Sequence, residues 1–167
     1  LRRGRQTAND LWGNAASVLV GDFLYSRAFQ MMVAVGKPRV MDIMAETTNS
    51  IAQGEVMQLL NSHNPRITES DYLETIKRKT ARLFESSARL GAVVAEAGPA
   101  TEQALGEYGL NLGIAFQMID DALDYSATAE QMGKNTGDDL SDGKTTLPLI
   151  YALDQCSSDE RDIISES

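Results

Sequence analysis

The stretch FQMIDDALDY, residues 116–125, places three aspartates within five positions of an otherwise apolar, helix-compatible segment. With 100° of rotation per residue, six apolar side chains of this helix fall on one face, each within about 40° of Leu112. They are Leu105, Tyr108, Leu112, Phe116, Ile119 and Leu123. We expect this stripe to pack into a core, with the aspartates on its flank rather than on the solvent side.

The flank that carries the aspartates differs from the rest of the helix surface. Glu107 and Asn111 fall on the expected solvent-facing side of the helix. The three aspartates lie elsewhere, so they do not simply mark the solvent-exposed face. Gly109 and Gly113 lie on the same flank of the helix as the aspartates, N-terminal to them. The flank therefore carries no side chains at these two positions. We infer that something beside the cluster needs this room.

Three aspartates at the end of a helix could be no more than solubilising charge. That interpretation does not explain why the helix carries the aspartates at an energetic cost. Asp is a weak helix former, like charges four residues apart repel, and carboxylates near a helix C-terminus oppose the helix dipole. A bound divalent cation would reverse all three penalties, and carboxylates suit Mg²⁺, which completes its octahedron with water and phosphate oxygens. We therefore predict a Mg²⁺ site at Asp120, Asp121 and Asp124, and a phosphate or diphosphate substrate.

The composition is that of one ordinary globular chain. Its 167 residues are 43% hydrophobic, enough for one core, and its net charge is −9. The negative charge argues against a nucleic-acid surface, which needs clustered cations. The single cysteine, Cys156, excludes an internal disulfide and a multi-cysteine zinc site, so a reducing, cytoplasmic location is expected. No apolar run approaches the roughly 20 residues that span a bilayer, so no membrane span is predicted.

Apolar spacings of three and four residues recur along the chain, which predicts an all-α protein. The predicted helices span roughly residues 8–34, 39–62, 69–96, 100–126 and 146–155. Thr68 and Asp71 form a predicted capping pair at the start of the third helix. No linker is long enough to separate two domains, so we expect residues 1–167 to form one helical bundle or a piece of one. We interpret both ends as cuts, since the first residue is Leu1.

Basic residues occur where a diphosphate could meet them. Lys79 falls on the apolar stripe of the third helix, with Thr80 beside it. Its amine could reach a diphosphate, extend to the surface or pair with a buried acid. The segment GKNTGDDLSDGKTTLP, residues 133–148, adds Lys134 and Lys144 in a glycine-rich loop, which resembles a lid but could be an ordinary connection.

Two charged groups leave alternatives open. Arg2 and Arg3 could grip a diphosphate in a fork, or could be terminal surface charge. Asp138, Asp139 and Asp142 repeat the D-D-x-x-D spacing, but the glycines around them make a continuous helix doubtful, so their carboxylates need not share a face. We rank them below the helical aspartates as a metal site.

Six segments, taken in order, resemble the trans-isoprenyl diphosphate synthase family. They are LRRGRQTAN, GNAASVLVGDFLYSRAFQMM, IAQGEV, KTARLFE, FQMIDDALDY and GKNTGDDLSDGKTTLPL. The match covers essentially the whole chain, and the order and spacing of the motifs are specific, although D-D-x-x-D alone is shared with other diphosphate enzymes. The resemblance implies an all-α isoprenoid-synthase bundle, normally a homodimer. Its members join isopentenyl diphosphate head to tail onto an allylic diphosphate, here farnesyl or geranyl diphosphate.

The resemblance also implies roles for single residues. The three helical aspartates correspond to the family's second aspartate-rich motif, whose Mg²⁺ neutralises the departing diphosphate. Lys79, Lys134 and Lys144 would hold this leaving group. Thr80 and Gln117 would lie near the allylic cation and offer it oxygen dipoles.

The family's first aspartate-rich motif, expected just upstream of Arg2 and Arg3, is missing from this sequence. Arg2 matches the arginine that binds the allylic diphosphate, and Arg3 the one that binds isopentenyl diphosphate. We therefore expect a fragment of a longer enzyme that is incomplete for activity on its own. The resemblance favours a long-chain, octaprenyl-like product for quinone side chains. Phe29, Met31 and Met32 are candidates for the floor of the tunnel that limits product length, or are ordinary core or interface residues.

Remaining residues and rival functions are weighed in the same way. We assign Asp22 to a structural pairing with a neighbouring helix rather than to a metal. We assign His63 to a loop, since no second histidine and no acidic partner at helical ligand spacing completes a metal site. A non-catalytic partner subunit would be expected to lose aspartates from the second motif. A terpene cyclase would not need the isopentenyl-binding arginines. A calcium-binding module would need the ligand spacing of an EF-hand, which is absent.

Overall fold

The computed structural model describes residues 5–126, 137–157 and 159–160. Its helices are α1 (Ala8–Ala34), α2 (Pro38–Asn61), α3 (Glu69–Ile76), α4 (Arg82–Val94), α5 (Pro99–Ser126), α6 (Asp138–Ser141) and α7 (Leu147–Gln155), and one π-helical turn, Lys77–Ala81, joins α3 to α4. These residues contain no β-strand, so the predicted all-α class is confirmed, with α6 as an additional short helix. No helix of this part of the chain is both long and apolar enough to cross a membrane.

Local sequence explains where helices begin and bend. Thr68 forms the predicted capping box with Asp71: the hydroxyl oxygen accepts the Asp71 N–H at 3.2 Å, and the carboxylate accepts the Thr68 N–H at 3.1 Å. The hydroxyl and the backbone N–H of Thr68 together lower the pKa of Asp71. Thr7 caps α1 in the same way with Asp10. Gly13 bends α1 at a φ of +79°, a left-handed conformation that favours glycine, and this bend was not predicted.

Helix α5 packs against α4 through its glycines. A Cβ on Gly113 would lie 2.6 Å from the Cα of Ala81, and a Cβ on Gly109 would lie 2.6 Å from the carbonyl oxygen of Phe84. Side chains do not approach backbone this closely, so glycine is required for the contact. The room predicted beside the acidic cluster is therefore filled by a neighbouring helix and is not left for a ligand.

The predicted core stripe of α5 is not buried. Leu112 is 45% exposed and Phe116 is 54% exposed, whereas Asp121 is 4% exposed and Asp124 is fully buried. Within the described residues the prediction was wrong because the glycine flank makes the close approach to α4. From the stripe, the Phe116 ring contacts Phe84 of α4 at a centroid distance of 5.3 Å but stays largely exposed. Helix α1 shows the same pattern, since none of its residues is buried.

The elements of the site converge on the π turn. Helix α2 approaches it at Gly54, where a Cβ would lie 2.5 Å from the backbone nitrogen of Lys79. Beneath the turn, Tyr72, Ile76 and Ile150 are buried against one another and join α3 to α7. The close approach and this small core fix the end of α2, the π turn and α7 around one point.

Candidate active site

A cavity of about 230 Å³ opens between the end of α2, the π turn, the acidic end of α5 and the segment that follows α6. It brings together six residues that were predicted for the site: Lys79, Thr80, Gln117, Asp120, Asp121 and Lys144. Asp139, which the sequence pattern ranked lower, lines the same cavity. The cavity is therefore both acidic and basic, as a metal-bound anion requires.

Other predicted residues cannot be placed in this cavity. Arg2, Arg3 and Lys134 lie outside the described residues, as does the side chain of Asp138. Asp124 is described and fully buried, but it does not line the cavity.

Asp121 is one of two buried carboxylates of the cavity, the other being Asp139. Its Oδ2 accepts a hydrogen bond from the Tyr72 hydroxyl at 2.6 Å, and its Oδ1 accepts one from Gln117 Nε2 at 2.7 Å. Burial raises the pKa of Asp121, the two hydrogen bonds oppose this, and the carboxylates of Asp139 and Asp120 raise the pKa further. Burial and the contact with Asp121 also raise the pKa of Tyr72, so its phenol remains a donor. Asp121 is thus held in one orientation.

Asp120 is the more open of the two adjacent carboxylates. It is half-buried, lines the cavity, and makes no side-chain hydrogen bond with any described residue. No three metal-binding side chains converge on one point within the described part of the chain. Mg²⁺, however, commonly takes one or two carboxylates and fills its remaining positions with phosphate oxygens and water. The donor set of Asp120 and Asp121 therefore fits a Mg²⁺ ion that arrives with a diphosphate.

Asp124 connects α5 to the segment around α6. Its Oδ2 accepts the backbone N–H of Asp139 at 3.0 Å, and its carbonyl oxygen accepts the N–H of Gly137, also at 3.0 Å. A charge-assisted bond of this kind is stronger than a neutral one. The third aspartate of the motif thus holds the segment that brings Asp139 and Lys144 to the cavity.

Lys144 lies between two carboxylates of its own segment. Its Nζ is 3.0 Å from Asp139 Oδ1 and 2.9 Å from Asp142 Oδ2. Partial burial opposes the charge of Lys144, but the hydrogen bonds to Asp142 and Asp139 outweigh it and raise the pKa of the amine. Lys144 is therefore a cation at neutral pH, as an anion-binding role requires.

Lys79 lies in the π turn and is paired with α2. Its Nζ is 3.0 Å from Glu55 Oε2 and 2.9 Å from Gln58 Oε1, and its side chain is 31% exposed. The sequence left three positions open for the Lys79 amine: at a diphosphate, at the surface, or beside a buried acid. In the structure Lys79 lines the cavity, and the acid that it pairs with, Glu55, is exposed. Gly54 allows this contact, because any side chain there would push α2 away from Lys79.

Thr80 and Gln117 form the predicted pair. The Thr80 hydroxyl donates to Gln117 Oε1 at 3.1 Å, while Gln117 Nε2 donates to Asp121. The π turn carries both Lys79 and Thr80, and such turns are frequent at functional sites. Gln117 therefore connects the π turn to the acidic cluster.

Comparison with known proteins assigns the family. The whole chain, residues 1–167, matches the family model of polyprenyl synthetases. The chain belongs to the polyprenyl synthetase family. It is 52% identical over 164 residues to octaprenyl diphosphate synthase from Escherichia coli (strain K12), an alignment that covers 98% of this chain and 51% of that protein. The resemblance found in the sequence is confirmed.

Solved polyprenyl synthases have the same fold. The polyprenyl synthase from Caulobacter crescentus CB15, complexed with calcium and isoprenyl diphosphate, matches with a TM-score of 0.95 and 47% identity, over 99% of this chain and 51% of that one. A decaprenyl diphosphate synthase from Rhodobacter capsulatus matches with a TM-score of 0.90 and 46% identity, again over 99% and 51%. This polyprenyl synthetase chain therefore spans about half the length of the relatives that it matches.

Sequence reasoning missed four side chains of the polyprenyl synthetase site. Tyr72 received no role, although it lies seven residues before Lys79 on the same face of the predicted third helix. The IAQGEV motif was recognised, but Glu55 received no role, and neither did Gln58 one turn further on. Asp139 was set aside because the segment around it did not look helical. In each case the missing information was the partner on another helix.

Three further predictions concern residues away from the cavity. Asp22 is exposed and forms no ion pair with any described residue, and its pairing with a neighbouring helix stays a prediction. His63 lies in the turn between α2 and α3, as predicted. Phe29, Met31 and Met32 lie on α1, which contributes no residue to the cavity. Their role in product length stays a prediction.

Proposed function

We propose that the protein containing this chain is a trans-polyprenyl diphosphate synthase that joins isopentenyl diphosphate head to tail onto an allylic diphosphate. The observation that carries the proposal is one cavity shared by two carboxylates, Asp120 and Asp121, and two amines, Lys79 and Lys144. This combination suits a magnesium diphosphate. Membership of the polyprenyl synthetase family supports it, as do the calcium and isoprenyl diphosphate bound to the relative from Caulobacter crescentus.

Asp120 and Asp121 are proposed to hold Mg²⁺, with Asp124 as the third member of the motif, acting through its bond to the Asp139 segment. The bound ion supplies Lewis-acid stabilisation to the diphosphate as it leaves. Lys79 and Lys144 add positive charge to the same leaving group. Because Lys144 is already paired with carboxylates, an incoming diphosphate would compete with them for its amine.

The proposed reaction begins with heterolytic cleavage of the C–O bond of the allylic diphosphate, which leaves an allylic cation. The double bond of isopentenyl diphosphate attacks this cation and a C–C bond forms. Loss of one proton to the released diphosphate then restores a double bond. Thr80 donates its hydroxyl proton to Gln117, so its oxygen lone pairs are available to stabilise positive charge. The hydrogen bond from Gln117 to Asp121 orients the amide for the same purpose.

We further propose that this chain is the C-terminal-side portion of one polyprenyl synthase helical domain. Matched relatives are about twice as long. Large apolar side chains of α1 and α5 are exposed, including Trp12 at 68% and Ile119 at 60%, and helices from the rest of such a domain would cover them. The first aspartate-rich motif would lie there, while Arg2, Arg3 and Lys134 would complete the binding of the two diphosphates.

A long-chain product is proposed for the whole enzyme. The relative from Escherichia coli is an octaprenyl synthase at 52% identity, and the one from Rhodobacter capsulatus is a decaprenyl synthase at 46%. Both support a product of many isoprene units, and farnesyl or geranyl diphosphate stays the predicted starter. The homodimer and the cytoplasmic location stay predictions.

Product analysis tests the proposal. The full-length protein is incubated with farnesyl diphosphate, labelled isopentenyl diphosphate and Mg²⁺, beside the 167-residue chain alone and an Asp120→Ala variant of the full-length protein. We expect a ladder ending at one long prenyl chain, lost without Mg²⁺ and in Asp120→Ala, and no turnover by the short chain. Absence of elongation by the full-length protein would favour a partner subunit or a terpene cyclase, and turnover by the short chain would show that the first motif is dispensable.

A further inference from the structure

The turn after α2 is tied to both neighbours of Lys144. The backbone N–H of His63 donates to the carbonyl oxygen of Gly143 at 2.8 Å. The hydroxyl of Thr145 donates to the carbonyl oxygen of Asn64 at 3.2 Å. The residues on either side of Lys144 are therefore held by two consecutive residues of one turn.

The side chain of His63 adds a steric contact to these bonds. Its imidazole ring lies so close to Gly143 that a Cβ on this glycine would overlap the ring. Gly143 also has a φ of +68°, and His63 has a φ of +57°, both in the left-handed region. Histidine adopts this region less readily than glycine, and a residue held there over a functional segment merits an explanation.

The position of the Lys144 backbone matters because its side chain is long. The ammonium group can reach a ligand productively only from a limited range of Cα positions, and an error of about 1 Å can lower a rate 100-fold. On its other side, the Lys144 N–H donates to the carbonyl oxygen of Asp139 at 2.8 Å. Lys144 is thus held between Asp139 and the turn that contains His63.

We propose that His63 is a positioning residue for Lys144: its ring, seated against Gly143, sets where the lysine ammonium enters the cavity. This inference rests on the proposed function, in which Lys144 binds the allylic diphosphate. His63 does not line the cavity and is not a catalytic residue.

Two glycines provide a matched test in the full-length protein. Gly143→Ala introduces a Cβ that collides with the His63 ring. Gly36→Ala is the control, because Gly36, in the turn between α1 and α2, also has a positive φ, +73°, but a Cβ there meets nothing within 4 Å. Both variants carry the same kind of backbone strain. We expect Gly143→Ala to raise the KM for farnesyl diphosphate about tenfold with a smaller change in kcat, and Gly36→Ala to leave KM near the wild-type value.

Removing the ring should relieve the collision. His63→Gly keeps the backbone N–H and suits the positive φ, so this variant should fold and raise KM by a smaller factor than Gly143→Ala. The double variant His63→Gly/Gly143→Ala should return KM to the level of His63→Gly alone. A purely structural role would lower the Tm of these variants without this pattern in KM.

The outcomes separate the inference from the proposed function. Equal KM values for Gly143→Ala and Gly36→Ala, no recovery in the double variant, or an unchanged KM in His63→Gly would overturn the role of His63. Lys144→Ala is measured beside them. If the wild-type protein does not elongate farnesyl diphosphate, or if Lys144→Ala leaves KM unchanged, the proposed role of Lys144 fails and the inference fails with it.

Discussion

The hydroxyl of Tyr72 and the carboxylate of Asp121 lie 2.6 Å apart and join α3 to the acidic end of α5. Both side chains are buried, at 5% and 4% exposure, so water cannot replace the bond. Together with Gln117, Tyr72 places a donor on each oxygen of Asp121. The Asp121 carboxylate is therefore oriented by the protein before any cation binds.

Removing this hydroxyl should destabilise the fold. Tyr72→Phe leaves a buried carboxylate without one of its two donors, and hydrogen bonds to charged groups contribute about 1.5–3 kcal/mol. We expect a loss of this size in the free energy of unfolding, measured by denaturant titration, and weaker Mg²⁺-dependent activity. Tyr108→Phe is the control, since Tyr108 on α5 is 64% exposed. Equal stability of the two variants would show that the bond contributes little.

Thr80 should act on the chemical step. Thr80→Val removes the hydroxyl near the proposed cation while keeping the shape of the side chain, and the loss of one stabilising dipole should lower kcat by about 10- to 100-fold with little change in KM. Single-turnover kinetics with farnesyl diphosphate measure the effect. Thr80→Ser keeps the hydroxyl and should retain most of the rate. A rise in KM alone would place Thr80 in substrate binding instead.

The glycines of α5 should be required for packing. Gly113→Ala places a Cβ 2.6 Å from the backbone of Ala81, and overpacking of this kind destabilises by about 1–3 kcal/mol. Gly91→Ala, on α4, meets nothing within 4 Å and should be neutral or stabilising by about 0.5–1 kcal/mol, because alanine favours a helix. Thermal unfolding of both variants measures the difference. If Gly113→Ala is no less stable than Gly91→Ala, the close approach of α4 and α5 is not required.

The capping box of α3 should make stability depend on pH in the acid range. The pKa of Asp71 is lowered by the Thr68 hydroxyl and backbone N–H. The ionised Asp71 carboxylate therefore stabilises the folded state at pH values above its pKa in the unfolded chain, about 3.9. This stabilisation is lost as the pH falls through the lower pKa that Asp71 has in the folded state. We expect the Tm difference between wild type and Asp71→Asn to narrow between pH 5 and pH 2. Asp42→Asn, an exposed position on α2, controls for the loss of one negative charge. A constant difference would mean that the capping carboxylate is not stabilised by folding.

The positions of the helices and many of the residues that line the cavity could be predicted from the sequence. Lys79 and Gln117 could be placed near Asp120 because the resemblance supplied the contact between helices that periodicity alone does not. The burial of α5 was predicted wrongly at Leu112, since a helical wheel identifies an apolar face but not the face that the neighbouring helix uses. Gly113 determines which face of α5 is packed, because its lack of a side chain allows α4 to approach the glycine flank. Asp139 was missed because its position depends on a bond to Asp124, 15 residues away in the sequence.

Binding of inorganic pyrophosphate by the full-length protein, measured calorimetrically with and without Mg²⁺, tests most directly whether this cavity is a magnesium diphosphate site. Wild type should bind in the presence of Mg²⁺, and Asp120→Ala should bind at least roughly tenfold more weakly, because changes around a bound metal lower affinity by that much. Asp42→Ala, outside the cavity, should bind like the wild type. Binding that is the same without Mg²⁺ and in Asp120→Ala would contradict the assignment of the carboxylates to the metal.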